Sequence, residues 1–390
     1  MKSWLVFATF VLVFGWSLKT IAAADNVLTP EEQSDGWLLL FDGETTFGWQ
    51  PAGNADWQVT GGTITVSAGD VCLLATTTRF GDYHLQADFR APERTNSGIF
   101  LRTSPRPSNP ATDCYELNIA PADNPFPTGG FVSRKKSDHV TKPDTWHTFD
   151  VTAAGPRFTV KIDGVTALEY IDEHPVHRGH IGLQHNSGQV EFKNVKLKPL
   201  GMESIFNGND LSGWKSRADS KSTFTVTGDG VLDVKNGPGQ LETERLFGDF
   251  ILQADCIVHG DQLNSGVFFR CIPGEKLNGY ESQIHNGFVQ GDRTRPVDYG
   301  TGAIFRRVAA RRVVSNDREW FRKTIIADGP HFSIWVNGYQ VTDWTDTRKP
   351  DANPRRGLRV DPGTIAIQGH DPTTAISFRN IMIQTWRSSP

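Results

Sequence analysis

Apolar and polar positions alternate at period two along most of this chain. Phe158-Thr159-Val160-Lys161-Ile162 puts its apolar residues on one side, and Phe332-Ser333-Ile334-Trp335-Val336 runs as a similar short segment. The first run ends at Asp163-Gly164 and the second at Asn337-Gly338, pairs suited to a two-residue hairpin turn because they tolerate positive φ. No segment carries a long capped stripe at 3.6-residue spacing. The pattern predicts an all-β fold: antiparallel strands stacked as a β-sandwich, one face of each sheet buried and the other open to carry function.

The alternation occurs twice in the same order. Phe41-Asp42-Gly43 with Gly48-Trp49 recurs as Phe206-Asn207-Gly208 with Gly213-Trp214. Phe80-Gly81-Asp82-Tyr83 recurs as Phe247-Gly248-Asp249-Phe250, and Asn96-Ser97-Gly98-Ile99-Phe100-Leu101-Arg102 as Asn264-Ser265-Gly266-Val267-Phe268-Phe269-Arg270. Trp146 matches Trp320, and Gln184-His185-Asn186 matches Gln368-Gly369-His370. This is a tandem duplication, with expected domains at 36–200 and 203–388 and almost no linker, so the copies should touch. Residues 1–24 read as a signal peptide: Lys2, an apolar run from Trp4 to Phe14, then Ala22-Ala23-Ala24. The expected location is secreted or periplasmic, with no transmembrane span in the mature chain.

Composition adds exclusions. A formal charge of -4 with a pI near 6.3 gives no global attraction to nucleic acid, and the runs Arg306-Arg307 and Arg311-Arg312 read as solvated loop charges. The 11 Trp and 24 Phe are accounted for mostly by core packing. Four cysteines remain after the leader; Cys256 and Cys271 replace Phe89 and Thr103 together, and with Asp261 to Gly266 as a hairpin loop they would face each other on neighbouring strands, so a bridge between them is expected, free buried thiols being the alternative. There is no GxSxG elbow, no P-loop and no ExDxxE carboxylate pair, which disfavours ordinary two-carboxylate glycoside hydrolysis.

Period-two parity then selects candidate site residues. With Tyr280 and Ile284 in the core, Glu281, Gln283 and His285 share the open face; Phe268 with Arg270, and Gln253 with Asp255, are assigned to it by the same rule. The last strand adds Gln368, His370 and Asp371, with Gly369 able to bulge it. The first copy offers Asp88, Arg102, Glu116 and Asn118, but Ala120 stands where His285 would be. His285, His370 and Glu281 form a candidate divalent-metal set without a spacing motif to support it. A hydrogen-bonded network that only orders the sheet is the competing reading.

Taken together, Phe206-Asn207-Gly208, Phe247-Gly248-Asp249-Phe250, Asn264 to Arg270, Tyr280-Glu281-Ser282-Gln283-Ile284, Tyr299 to Ile304 and Gln368-Gly369-His370-Asp371 resemble the 3-keto-disaccharide hydrolase domain family, in two copies. The resemblance implies jelly-roll sandwiches of the concanavalin type acting on an oligosaccharide or glycoside. It also implies cleavage of 3-keto-glycosides, by C2 proton abstraction and then elimination or hydrolysis. A C3 ketone acidifies the C2 hydrogen, so one base, an electropositive group and an acid suffice. Glu281 or His285 is then the base, Arg270 or a divalent metal meets the oxyanion, and His370 is acid or ligand. Asp255, Gln283, Gln368, Asp371, Glu116 and Arg102 are substrate-binding candidates. The alternative is a non-catalytic carbohydrate-binding or adhesion protein using the same face.

Overall fold

The computed structural model describes residues 24–386; most of the proposed signal peptide lies outside them. Among the described residues no helix is long and apolar enough to cross a membrane, and the α-helix at Pro30–Ser34 is a single capped turn. The other described residues are strand and loop, as the alternation requires. Tyr83–Arg90 shows the rule most clearly, with alternate residues buried throughout.

Each copy is a sandwich of one eight-stranded and one five-stranded antiparallel sheet. In the second copy the five-stranded sheet runs Trp214–Ser216, Gly239–Thr243, Thr364–Gly369, Ser265–Cys271, Tyr280–Ile284. The first copy repeats that order with Trp49–Pro51, Cys72–Thr76, His180–Ser187, Asn96–Thr103 and Tyr115–Ile119. Both hairpin turns form, with Asp163 and Gly164 at φ 51° and 80° and Asn337 and Gly338 at 49° and 74°.

The core of each copy lies between its two sheets. In the second, Val267, Phe269, Tyr280, Ile284 and Ile367 from the five-stranded sheet meet Leu252, Phe321, Ile325, Phe332 and Phe378 from the other. Cutting a buried Phe such as Phe332 to Ala costs about 3–5 kcal/mol.

The expected Cys256–Cys271 bridge is not formed, and all four cysteines are free. Cys256 pairs with Phe321 and Phe378 in the eight-stranded sheet and faces the core. Cys271 lies in the other sheet, clustered with Phe268, Leu277 and Ala366.

The copies pack directly. The outer side of the second copy's eight-stranded sheet sends Ile251, Ile326 and Trp335 into the first copy's apolar cluster, and Trp335 Nε1 donates to Leu39 O at 3.1 Å. Polar pairs ring the contact: Thr78 Oγ1 with Ser333 Oγ at 2.6 Å, Arg311 with Asp42 at 2.8 Å, and Arg79 with Asp328. The five-stranded sheet on the far side of the second copy keeps its own outer face.

Candidate functional site

The outer face of the second copy's five-stranded sheet is built by register. Glu281 lies opposite Phe268, and Gln283 opposite Gly266. Across the next strands Ala366 pairs with Glu242, and Gln368 with Gln240. One row therefore carries Glu281, Phe268, Ala366 and Glu242, and the next carries Gln283, Gly266, Gln368 and Gln240.

Gly266 is required here. A Cβ on it would stand 2.9 Å from Glu281 Oε1 and 3.2 Å from Phe268 Cε2, so the absent side chain is the space the carboxyl occupies.

Glu281 is 9% exposed and accepts no hydrogen bond among the described residues. Burial pushes its carboxyl up to about 7, against the opposing charges of Arg355 and Lys323. By contrast Glu242 is fully engaged, accepting from Gly274 N at 3.1 Å and Thr364 Oγ1 at 2.9 Å. The two carboxyls of this face thus differ in kind: one is structural, the other available.

Beside Glu281 the amides are oriented. Asp298 takes Gln283 Nε2 at 2.8 Å and also Asn264 Nδ2, leaving Gln283 Oε1 and Asn264 Oδ1 buried with no partner. Gln368 Oε1 is a third such acceptor. Unpaired buried acceptors cost free energy unless a ligand donor meets them, and sugar hydroxyls are such donors.

His285 continues the same strand parity. Gly287 N–H donates to its Nδ1 at 3.2 Å, which leaves the proton on Nε2, and burial holds the imidazole below its ordinary value. It is therefore a neutral N–H donor. His370 lies past the end of its strand, with Asp371 on its Nδ1 at 2.8 Å. Asp371 is held down to about 2 by Thr373 and His370, so it orients His370 as a carboxylate.

The structure departs from expectation at Arg270, Arg102, Asp255 and the metal set. Arg270 is not on this face: it sits at φ 49°, where pairing with the neighbouring strand slips between Phe268 and Cys271, a bulge that breaks the alternation. Its guanidinium is wholly buried, donating to Gly329 O at 2.5 Å, Arg359 O at 3.1 Å and Asp249 Oδ1 at 2.8 Å over the Phe332 ring. Arg102 repeats this in the first copy, at φ 50° with Gly155 O, Val176 O and Asp82. Both arginines staple loops and do not face ligand.

Asp255 has the expected parity but belongs to the eight-stranded sheet, on the other side of the sandwich. There it binds Arg322 Nε and Asn380 Nδ2, each at 2.7 Å. The metal set fails on distance, since four residues of strand separate Glu281 from His285 by about 13 Å. No group of three or more His, Cys, Asp or Glu able to hold a metal ion occurs among the described residues. Glu116 does lie on the matching face of the first copy, opposite Phe100.

Two residues escaped the sequence reading. Arg355 reaches over Phe268, its Cζ 5.9 Å from the ring, anchored by Nε to Leu277 O at 2.8 Å. Lys323 approaches from beneath, inside the core, donating to the carbonyls of Ser282 and Gln283 at 2.7 Å each. Arg355 sits in a loop without periodicity, so nothing signalled it. Lys323 left a signal: it is a charge in the core row of Phe321, Ile325 and Ala327.

Among solved structures, a putative glycosyl hydrolase from Parabacteroides distasonis is 22% identical over 45% of this chain and 100% of its own, with a TM-score of 0.41. A second from the same organism is 25% identical over 47% of this chain and 99% of its own, at 0.38. The carbohydrate-binding module CBM66 from Bacillus subtilis is 16% identical over 39% and 95%, at 0.32. No curated protein matches. The model of the 3-keto-alpha-glucoside-1,2-lyase-like domain matches residues 36–198 and again 201–384, so the chain belongs to that family and carries its domain twice.

Proposed function

We propose that the second copy cleaves 3-keto-glycosides by elimination, with Glu281 as the base. The observation that carries this reading is a buried carboxyl, poised near neutrality, that accepts no hydrogen bond among the described residues and has the Arg355 guanidinium over the neighbouring Phe268 ring beside it, with unpaired amide oxygens alongside. Such a group takes and returns a proton near pH 7.

In the proposed step the C2–H bond breaks and its proton passes to the Glu281 carboxylate. The electron pair is held as an enediolate, for which the Arg355 guanidinium supplies positive charge. The C1–O bond then breaks, C1 and C2 become doubly bonded, and the departing oxygen is protonated by the Glu281 carboxylic acid. Water adding to that double bond afterwards would complete a net hydrolysis. Gln283, Gln368 and Asn264 accept from sugar hydroxyls, while His285, about 13 Å along the chain from Glu281, and His370, past the end of Thr364–Gly369, hold the far end of the substrate.

The family's 1,2-lyase designation supports elimination over displacement. The Lys2-led apolar run and Ala22-Ala23-Ala24 support an exported protein.

The test is turnover of a 3-keto-glycoside carrying deuterium at C2. A slowed rate with release of an unsaturated sugar is expected. Tight binding without turnover would overturn the catalytic reading in favour of a binding module.

A further inference from the structure

Lys323 is 1% exposed and stands on the core side of its strand, between Phe321 and Ile325. The first copy shows what a sandwich core ordinarily wants there. Its Phe149 pairs with Ala87 as Lys323 pairs with Ala254, and Phe149 stacks on Phe89 at 4.4 Å. In the second copy that aromatic pair is replaced by Lys323 and Cys256. An ammonium in such a place is costly, and Lys323 makes no ion pair among the described residues. Its partners are two consecutive carbonyls of the strand that bears Glu281 and Gln283.

We propose that Lys323 is the positioning residue of this site: it pins the Ser282 and Gln283 carbonyls from inside the core, fixing how Glu281 and Gln283 project on the outer face. Its charge also lies across one strand from the Glu281 carboxylate and favours its ionised, basic form. This rests on the lyase reading for its use, though not for its geometry.

The groups that act on the pair come from each packed element. Cys256 faces Lys323 from the neighbouring strand, a thiol that burial pushes up to about 12 and so keeps neutral. Arg355, Arg306 and Asp298 act on Glu281 from the loops above it. Burial brings Lys323 itself down to about 7, so its charge is present below neutrality and fades above it.

The test is Lys323→Met, which keeps length and removes charge and donors. With a 3-keto-glycoside, kcat should fall about 10-fold or more while KM moves little, because displacement of the base costs rate more than affinity. The acid limb of the pH profile should move up by roughly half a unit or more, since a carboxylate deprived of a nearby cation holds its proton longer. An unchanged limb and unchanged kcat in folded protein would overturn the proposal.

Two substrate-free readouts separate this idea from the lyase reading. In the first, the isotope-edited infrared band of the Glu281 carboxyl, identified by its loss in Glu281→Gln, should titrate at higher pH in Lys323→Met. In the second, which serves even if Lys323→Met does not fold, the Lys323 amine is followed by nitrogen-15 resonance. Its midpoint should drop in Glu281→Gln, because coupling is reciprocal. Unmoved midpoints would sink the proposal, whereas coupled titrations in a protein that turns over no 3-keto-glycoside would sink only the lyase reading.

Discussion

The two sheet faces share their carboxyl and the unpaired amide oxygens beside it, Asn118 and Gln184 standing at the places of Gln283 and Gln368, and differ in the side chains beyond them. Glu116 is buried like Glu281 and burial likewise pushes it up to about 7, with Gln184 where the second copy has Gln368. A carboxyl of raised proton affinity is therefore a property of this sheet and not a mark of activity. Around Glu116 the face is apolar: Leu73 and Ala75 stand at the places of Gln240 and Glu242, and Leu73, Phe100 and Cys114 form an apolar cluster. Ala120 and Phe149 replace His285 and Lys323.

Loop length accounts for much of the contrast. From His285 to Thr301 the second copy inserts a hairpin, Phe288–Val289 with Asp292–Pro296, where the first copy needs only Pro121 to Pro127. Arg293 of that hairpin binds Val313 O and Ser315 O. The corresponding His139 to Thr141 instead line an open cleft of about 350 Å³ in the first copy. The longer stretch between Asp346 and Thr364 supplies Arg355, and the first copy spans that gap from Asp172 to His180.

The largest expected effect breaks the symmetry of the two carboxyls. Glu281→Gln should lower kcat for a 3-keto-glycoside by about 10²- to 10⁴-fold, the usual cost of losing a general base. Glu116→Gln should leave most of the rate. Steady-state kinetics of both variants decides it, and the reverse ranking would move the active site to the first copy.

How far this was legible in the sequence depends on parity. Glu281, Gln283 and Gln368 were placed correctly because their strands are regular and each flanking apolar residue fixes a face. Arg270 and Arg102 were misplaced because a bulge at positive φ cannot be seen in a residue pattern that continues to alternate through it. Asp255 was misplaced for a different reason: alternation tells inside from outside within one sheet but does not say which sheet a strand joins. The Cys256–Cys271 expectation failed on the same point, since it treated strands of opposite sheets as a hairpin.

The arginine staples should then behave alike where the carboxyls do not. Each guanidinium is wholly buried, so Arg270→Met and Arg102→Met should each cost about 3–5 kcal/mol, chiefly by leaving three carbonyls without a donor, since the paired Asp249 and Asp82 are partly exposed and keep the N–H of Gly329 and Gly155. Denaturant unfolding checks this. A large loss of activity in Arg270→Met with little loss of stability would restore Arg270 to the reacting atoms.

A smaller effect follows from the shared titration. In the unfolded chain both carboxyls return to their ordinary 4.5, while in the folded state burial holds them near 7. Below 4.5 both states are protonated and the contribution is full. As pH rises toward 7 the unfolded chain loses its protons first, so stability falls, by of order 1–3 kcal/mol per carboxyl. Thermal melts of the wild type should decline across that window, and Glu116→Gln with Glu281→Gln together should flatten the decline. A decline that persists undiminished would place its source in other groups.

The smallest effect concerns how the first copy supports the second. Thr78 Oγ1 and Ser333 Oγ meet at 2.6 Å in the buried contact between copies. Thr78→Val keeps the shape of the side chain and removes its hydroxyl. Ser333 Oγ still reaches Asp343 at 3.3 Å, so no buried group is left without a partner. The cost should therefore be only the net worth of one hydrogen bond, about 1 kcal/mol, read as a small drop in melting temperature. If the first copy is a buttress, this variant should leave kcat and KM for a 3-keto-glycoside unchanged. A disproportionate loss of kcat from so mild a change would mean that the contact does more than hold the eight-stranded sheet in place, and that the two copies act as one catalytic unit.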